Sequence, residues 1–562
     1  LIDVARLQSF IAKEITRETN WSAALLIKRP RFREPAASPA DTSLRDIMFS
    51  CVFVVALFCA SDALAQSPTS NTTAAPDPAA AAKSNEFIEE PITADNSDEF
   101  VEEPVGAGST TPQPATPVAS TSGPFGFLDT AARSSNLLGD MWGFRTLLSK
   151  YGMTLSIVEQ SEVLGNATGG IRQGFAYEGL TTATLQLDTA RAFNWDGGLF
   201  NVSGLQIHGR NLSADNLLSL QTASGIESDR STRLWELWYQ HKFMDGNLDV
   251  RLGQQSIDQE FMVSQNSGYF INTMAGWPML PSANMPGGGP AYPLSALGAR
   301  AKYHVTDSVT VLAGVFNGSP VSDNTGDPQI NNRYGTSFPL NGGVLAIAEL
   351  QFAYPSSGTV VHANDTDTLS GTYKIGIWYD SQSFADQHFD NSGLSLADPA
   401  STGIAATHKG NYAIYAVADQ MIYRWADDPG RNINIYVRPM IAPQQDRNLV
   451  YFSVNAGLTM HEPFAGRGSD TFGLGMGFTR VSNAATAFDQ DTALFNPGVY
   501  SPVRRSETFI EATYQYQVMP WWQIQPDIQY VFNPGAGIVN PNNPIESVKN
   551  EWVFGVRTNI TF

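Results

Sequence analysis

The residues best suited to handling a hydroxyl-rich solute sit at alternate positions of short apolar-polar runs. Between Arg233 and Phe243, the side chains of Trp235, Leu237, Tyr239 and Phe243 suit an apolar face, which leaves Leu234, Glu236, Trp238, Gln240 and Lys242 on the other. The following run sets Leu248, Val250 and Leu252 against Asp249, Arg251 and Gln255. A third sets Leu297, Ala299, Ala301, Tyr303 and Val305 against Arg300, Lys302 and His304. Carboxylates, guanidinium groups, amides and an indole on one wall can exchange hydrogen bonds with hydroxyls and cover the apolar face of a ring. The same charges also make an ordinary solvated wall with no preference for any solute.

Catalytic arrangements are poorly supported. Glu236 and Glu260 could serve as a glycosidase pair, but that chemistry needs a defined separation of the two carboxyl groups, which sequence does not supply. The sequence holds no Gly-x-Ser-x-Gly elbow, no His-Glu-x-x-His and no P-loop. The stretch from Asp323 to Asp327 lacks the spacing and terminal Glu of a calcium loop and reads as a turn. No metal and no cofactor is expected.

The elements that must carry these residues are strands. Trp552, Phe554, Val556, Thr558, Ile560 and Phe562 share one face of the last run, and Glu551, Arg557, Asn559 and Thr561 share the other. Trp522, Ile524, Ile528, Tyr530 and Phe532 alternate with Gln523, Gln525, Asp527 and Gln529. Ile510, Ala512, Tyr514, Tyr516 and Val518 alternate with Glu511, Thr513, Gln515 and Gln517. Phe472, Leu474, Met476 and Phe478 alternate with three glycines and Thr479, and Val450, Phe452, Val454, Ala456 and Leu458 with Tyr451, Ser453, Asn455, Gly457 and Thr459. About sixteen such segments fit between Gly152 and Phe562 at strand-plus-turn spacing. A soluble β-sandwich also alternates. Its strands are shorter than the roughly 9–11 residues that cross a membrane at a tilt, and it has no use for aromatics at segment ends such as Trp521-Trp522, Tyr530 and Trp552. The expectation is an all-β, transmembrane antiparallel barrel of about sixteen strands. One short helix, 139–150, precedes it at the periplasmic or lumenal mouth, with Asp140 as N-cap.

Composition agrees with this reading. Of the 562 residues only 16 % are charged and 11 % are aromatic, while the mean hydropathy of −0.17 is that of a soluble chain. Strands facing lipid on one side and water on the other average to such a value. Cys51 and Cys59 both fall in the apolar stretch 48–65, which reads as a signal peptide cleaved after Ala65, with residues 1–47 a mis-set start ahead of Met48. A lipoprotein reading of Cys59 is weakened by the bulky Phe58. Residues 66–123 are rich in Pro, Ala, Ser and Thr, hold nine acidic residues against one basic, and read as a disordered linker. Two acidic-hydrophobic units echo each other within it, 85–91 and 98–104, and could contact a periplasmic partner. The net charge of −20 argues against a nucleic-acid partner.

At Leu138-Gly139-Asp140-Met141-Trp142-Gly143-Phe144-Arg145 and Tyr151-Gly152-Met153 the chain resembles the start of the carbohydrate-selective porin family, OprB. The resemblance continues at Arg233-Leu234-Trp235-Glu236-Leu237-Trp238, Arg251-Leu252-Gly253-Gln254-Gln255, Glu260-Phe261 and Phe270-Ile271-Asn272. It extends through Pro290-Ala291-Tyr292-Pro293 and Gly298-Ala299-Arg300 to Pro520-Trp521-Trp522, Gln525-Pro526-Asp527 and Asn533-Pro534-Gly535, so that it spans about 124–562. Met141 departs from the family's usual pattern, as does the acidic linker. The resemblance implies a sixteen-stranded barrel of monomeric type that passes glucose and related monosaccharides or small oligosaccharides across the outer membrane. It also implies that Asp258 and Glu260 lie in an inward-folded loop and completes the candidate lining: Arg233, Glu236, Trp238, Arg251, Gln255, Glu260, Arg300 and Lys302. The terminal Phe562 resembles the signal read by the barrel-assembly machinery, and it equally completes a stripe facing membrane lipid.

Overall fold

The computed structural model of the chain describes residues 135–323, 325–355, 369–428 and 430–562. The expected signal peptide, the acidic linker and its two echoed units lie outside the described residues. Eight strands make the first half of the wall: β1 (Met153–Thr168), β2 (Gly174–Asp188), β3 (Gly198–Gly209), β4 (Ser231–Phe243), β5 (Leu248–Gln255), β6 (Ala296–His304), β7 (Val309–Asn317) and β8 (Val344–Tyr354). Eight more complete it: β9 (Gly371–Asp390), β10 (Ala405–Arg424), β11 (Asn432–Ile441), β12 (Val450–His461), β13 (Thr471–Val481), β14 (Ser506–Met519), β15 (Trp522–Phe532) and β16 (Glu551–Thr561). Each is antiparallel to its neighbours, and β16 pairs back onto β1, so the sheet is a closed barrel of sixteen strands. Closure leaves no strand edge unpaired, the condition for a sheet to sit in hydrocarbon.

Alternation places apolar side chains outside and polar ones inside. On β13 the outward Leu474 and Met476 are exposed while Thr479 is buried inside, and on β14 Ile510 is exposed while Glu511 is fully buried. Aromatic pairs ring the two ends of the outer wall, among them Tyr530 with Trp552 at 4.6 Å and Phe200 with Tyr239 at 4.5 Å between ring centres. Such belts mark the two membrane interfaces.

β-bulges break the simple period at several places along the wall, and two of them turn a side chain against expectation. Between Leu234 and Glu236 the register with β3 slips, so that Trp235 is an extra residue opposite the Ser203–Gly204 step. Trp235, expected toward lipid, is buried inside and packs edge-on against Tyr292, and Leu234 falls on the face opposite to the lumenal one expected for it. A second slip between Val450 and Phe452 turns Val450 inward, where it is fully buried. A bulge changes the phase by one residue and leaves no mark in apolar periodicity.

The N-terminal helix, α1, spans Phe144–Lys150. Asp140 is not the N-cap residue, a position Gly143 takes, since Met141, Trp142 and Gly143 all adopt positive φ and hold the preceding residues in turns. Instead the Asp140 Oδ1 accepts from the Thr146 amide and hydroxyl at 2.8 and 2.9 Å. From α1, Arg145 donates to the backbone carbonyl of Leu155 at 2.5 Å and to that of Phe562, bridging both strands of the closing seam.

The apolar core lies inside the barrel. The connection between β5 and β6, residues 256–295, folds into the lumen and brings Phe261, Met262, Trp277 and Leu280 against inward Phe316, Ile347, Trp378 and Tyr415. One side of the lumen is thereby filled.

Candidate functional site

The loop 256–295 is bound to the wall through its own backbone. Arg438, fully buried on β11, donates to four of its carbonyls: Met262 at 2.8 Å, Gly276 at 2.9 Å, Met274 at 2.6 Å and Ala275 at 2.7 Å. Glu511 on β14 accepts the amides of Ile271 at 2.5 Å and Asn272 at 3.2 Å. Glu349 on β8 accepts the Met262 amide at 2.9 Å, and Asp419 on β10 accepts the Ser264 hydroxyl at 2.6 Å. Non-helical backbone is tolerated at membrane depth only where such partners satisfy it. The ring of Phe270 lies over the inward glycines of β12 and β13. A Cβ on Gly475 would stand 2.7 Å from it, and one on Gly473 2.9 Å, so only glycine leaves room.

The charged residues collect on the opposite side, where β4, β5 and β6 face the start of the same loop. Arg300 on β6 donates through Nη1 to Asp249 Oδ1 at 2.6 Å, through Nη2 to Glu260 Oε1 at 2.5 Å, and through Nε to the other Glu260 oxygen. Arg251 lies 3.3 Å from Glu260 Oε1 and donates to Gln240 Oε1 at 2.8 Å, and its guanidinium stacks 3.9 Å above the Trp238 ring. Gln240 in turn donates to Asp249 at 2.5 Å. Glu236 accepts from Trp238 Nε1 at 3.1 Å and from the Ser256 amide at 3.0 Å. Burial raises the Glu260 carboxyl, but Arg251 and Arg300 outweigh it and hold the group below the usual carboxylate range, with Lys302 adding to their pull. Burial pushes Asp258 up to about 6, against the hydrogen bonds it accepts from the Ser256 hydroxyl and the Tyr292 amide.

Not every candidate residue reaches open lumen. Arg251 and Glu260 keep 12 % and 23 % of their side-chain surface exposed and Arg300 only 2 %, so the first two form the open edge of the cluster while Arg300 braces it. Lys302 is half-buried on the same inward row. Trp238 offers no free ring face, because it is buried, with Arg251 over one side of the ring. Arg233 is a fastener: it donates to the carbonyls of Pro293 and Gln329, each at 3.1 Å, and is buried. Gln255 is likewise buried and donates to the Gly298 carbonyl at 3.1 Å. The anchors Arg438 and Glu511 and the Phe270 cradle are absent from the sequence-based candidates, although glycines at every second position of β13 were their one visible trace.

The carbohydrate-selective porin, OprB family, model matches residues 172–562. Porin B of Pseudomonas aeruginosa is 23 % identical over 455 residues, covering 76 % of this chain and 91 % of that protein. The putative porin QuiX of Acinetobacter baylyi is 20 % identical over 443 residues, with 76 % and 93 % covered. The high-pH structure of Pseudomonas putida OprB superposes with a TM-score of 0.66 at 23 % identity, over 76 % of this chain and 99 % of that one. With a closed sixteen-stranded wall, a lumen narrowed by bound loops, among them 256–295 and the β3–β4 connection whose Leu220 and Gln221 amides bond to Glu507, and a family match over most of its length, the chain belongs to the carbohydrate-selective porin family OprB and is an outer-membrane porin for sugar diffusion.

Proposed function

We propose that monosaccharides or small oligosaccharides pass the lumen alongside Arg251 and Glu260, exchanging hydrogen bonds with the guanidinium and carboxylate edges that the cluster leaves exposed. The observation that carries this reading is the bracing of these two groups. Arg300, Asp249 and Gln240 fix their positions, so donors and acceptors stand ready without the entropy cost of ordering long side chains. The protein is a channel without hydrolytic activity. Glu260 is held ionised between two guanidinium groups and so cannot act as a proton donor, and Glu236 is engaged by Trp238 and Ser256. In planar bilayers the protein should give stepwise ohmic currents that glucose partly blocks, and Arg251→Ala or Glu260→Gln should weaken the block. A closed lumen with glycosidic turnover would overturn the reading.

Lipid of the outer membrane surrounds the wall, and the barrel-assembly machinery reads Phe562 in this proposal. Deleting Phe562 should sharply lower the heat-resistant barrel in the outer membrane, whereas loss of one stripe residue alone would cost only ~1.5–3 kcal/mol of burial. The acidic segment 66–123 supplies a periplasmic contact.

A further inference from the structure

The helix ahead of the barrel is turned inside out for a helix in water. In α1 and the residue after it, Phe144, Leu147, Leu148 and Tyr151 stand at the i, i+3, i+4 and i+7 positions of one face, while Arg145, Thr146, Ser149 and Lys150 make up the other. The polar face is the one fastened to the barrel. Arg145 holds the Leu155 and Phe562 carbonyls across the seam, and Arg191, in the turn between β2 and β3, donates to the Ser149 carbonyl at 3.0 Å and to its hydroxyl at 2.7 Å. On the apolar face Phe144, Leu147 and Tyr151 are exposed, and just ahead of the helix Trp142 is 94 % exposed. A surface helix in water packs the other way round, with its apolar stripe against the protein.

The exposed residues continue along the rim of the wall. Gly152, just after α1, lies so close to the β2–β3 turn that a Cβ on it would stand 2.8 Å from the Ala192 amide nitrogen. That turn exposes Phe193 and Trp195, and Trp195 stacks on Tyr239 at 5.7 Å between ring centres, within the aromatic belt that also holds Phe200. The next turn, between β4 and β5, exposes Phe243 and Met244. This end of the wall holds the start of β1, the end of β16 and short turns such as 244–247 and 305–308, the periplasmic pattern of an outer-membrane barrel. The apolar face of α1 is therefore continuous with the belt that marks the periplasmic interface of the membrane.

We propose that α1 and Trp142 lie against the periplasmic leaflet of the outer membrane, with the apolar face of the helix in the boundary between phospholipid headgroups and acyl chains. Trp and Tyr rings favour that depth, because each has an apolar body and one polar edge. Lys150, exposed beside the apolar face, can reach phosphate while its stem stays among the chains. Since Arg145 and Arg191 fasten the helix to the rim at the level of the belt, its free face meets lipid without any protein being recruited. The helix thus stands beside the pore mouth and not across it.

The test places a photo-reactive amino acid at Leu147 in the full chain assembled in outer membranes, where phospholipid fills the periplasmic leaflet and lipopolysaccharide the outer one. Irradiation should give an adduct carrying the mass of one glycerophospholipid. The same group at Leu350, exposed on the lipid-facing row of β8, should also capture lipid, and at Asp427, exposed in the β10–β11 turn of the same rim, it should capture none. Placed at Trp142 it should again capture phospholipid, and Phe144→Asp with Leu147→Asp should abolish that adduct. If the double variant does not assemble, the Leu147 adduct in the otherwise unaltered chain still decides. At Leu147, an adduct with lipopolysaccharide or with a protein in place of phospholipid, or no adduct while Leu350 gives one, would overturn the proposal.

Discussion

Two sectors of the lumen wall are built from the same alternation and used in opposite ways. Along β4 to β6 the inward positions carry long charged side chains that bond mostly to one another, and the cluster keeps an open edge. Along β7 to β14 the inward positions are apolar residues, glycines and isolated charges, and these bond to the backbone of a loop. A charge surrounded by other side chains remains available to a solute, whereas a charge saturated by main-chain groups becomes structure. The inward position thus says only that a residue meets the lumen. Its partners decide whether it meets a solute.

The sharpest way to break this contrast is at Arg438. Arg438→Met should release four buried carbonyls, and with several charge-assisted hydrogen bonds lost the loop should be destabilised by ~3 kcal/mol or more. Single-channel conductance should rise, and loop residues 262–276 should become open to protease. Unchanged conductance would mean that the apolar contacts alone hold the loop. Gly475→Val tests the same sector by crowding Phe270, at a cost of ~1–3 kcal/mol, read as faster amide exchange at 269–272.

A smaller effect is expected from pH at the joint between the sectors. Asp258 has a folded-state value of about 6 against 3.8 for the ordinary group, so the folded loop binds more protons across that window. Its contribution is therefore greatest below the lower value and declines as pH rises through the upper one, by up to about 3 kcal/mol. Hydrogen exchange of the loop should slow between neutral pH and about pH 4, after correction for intrinsic rates, and Asp258→Asn should remove that slope. Last, Lys302→Met in the charged sector should change stability by less than ~0.5 kcal/mol. It should still move the reversal potential in a salt gradient toward cation preference. A stability loss as large as that of Arg438→Met would erase the distinction.

How much of this is legible in the sequence depends on range. The alternation of Trp552 to Phe562, or of Ile510 to Gln517, shows each strand and its face because the period is local. The inward placement of Arg251, Arg300 and Lys302 follows from the same count. Trp235 and Val450 escaped it because each sits at a bulge, where one inserted residue reverses the face without altering composition. The start of α1 was read too early, since the positive φ of Met141 and Trp142 belongs to residues that rarely adopt it. Arg438 and Glu511 could be placed inside, but their partners lie in a loop whose path no periodicity encodes.

The bridge from Arg145 to Phe562 joins residues 417 positions apart. Alongside it, across the same seam, the buried Glu162–Arg557 pair lies at 2.5 Å. Neither contact exists until the final strand has been made and delivered, and pairings so distant in sequence are the slow ones in folding. Until then the wall is an open sheet with two bare edges, β1 and β16, each a template for the wrong neighbour. α1 lies beside the first of those edges, with Arg145 bonded to the Leu155 carbonyl of β1. In the closed wall, one side chain of the stretch before the barrel thus spans both strands of the seam, the first and the last.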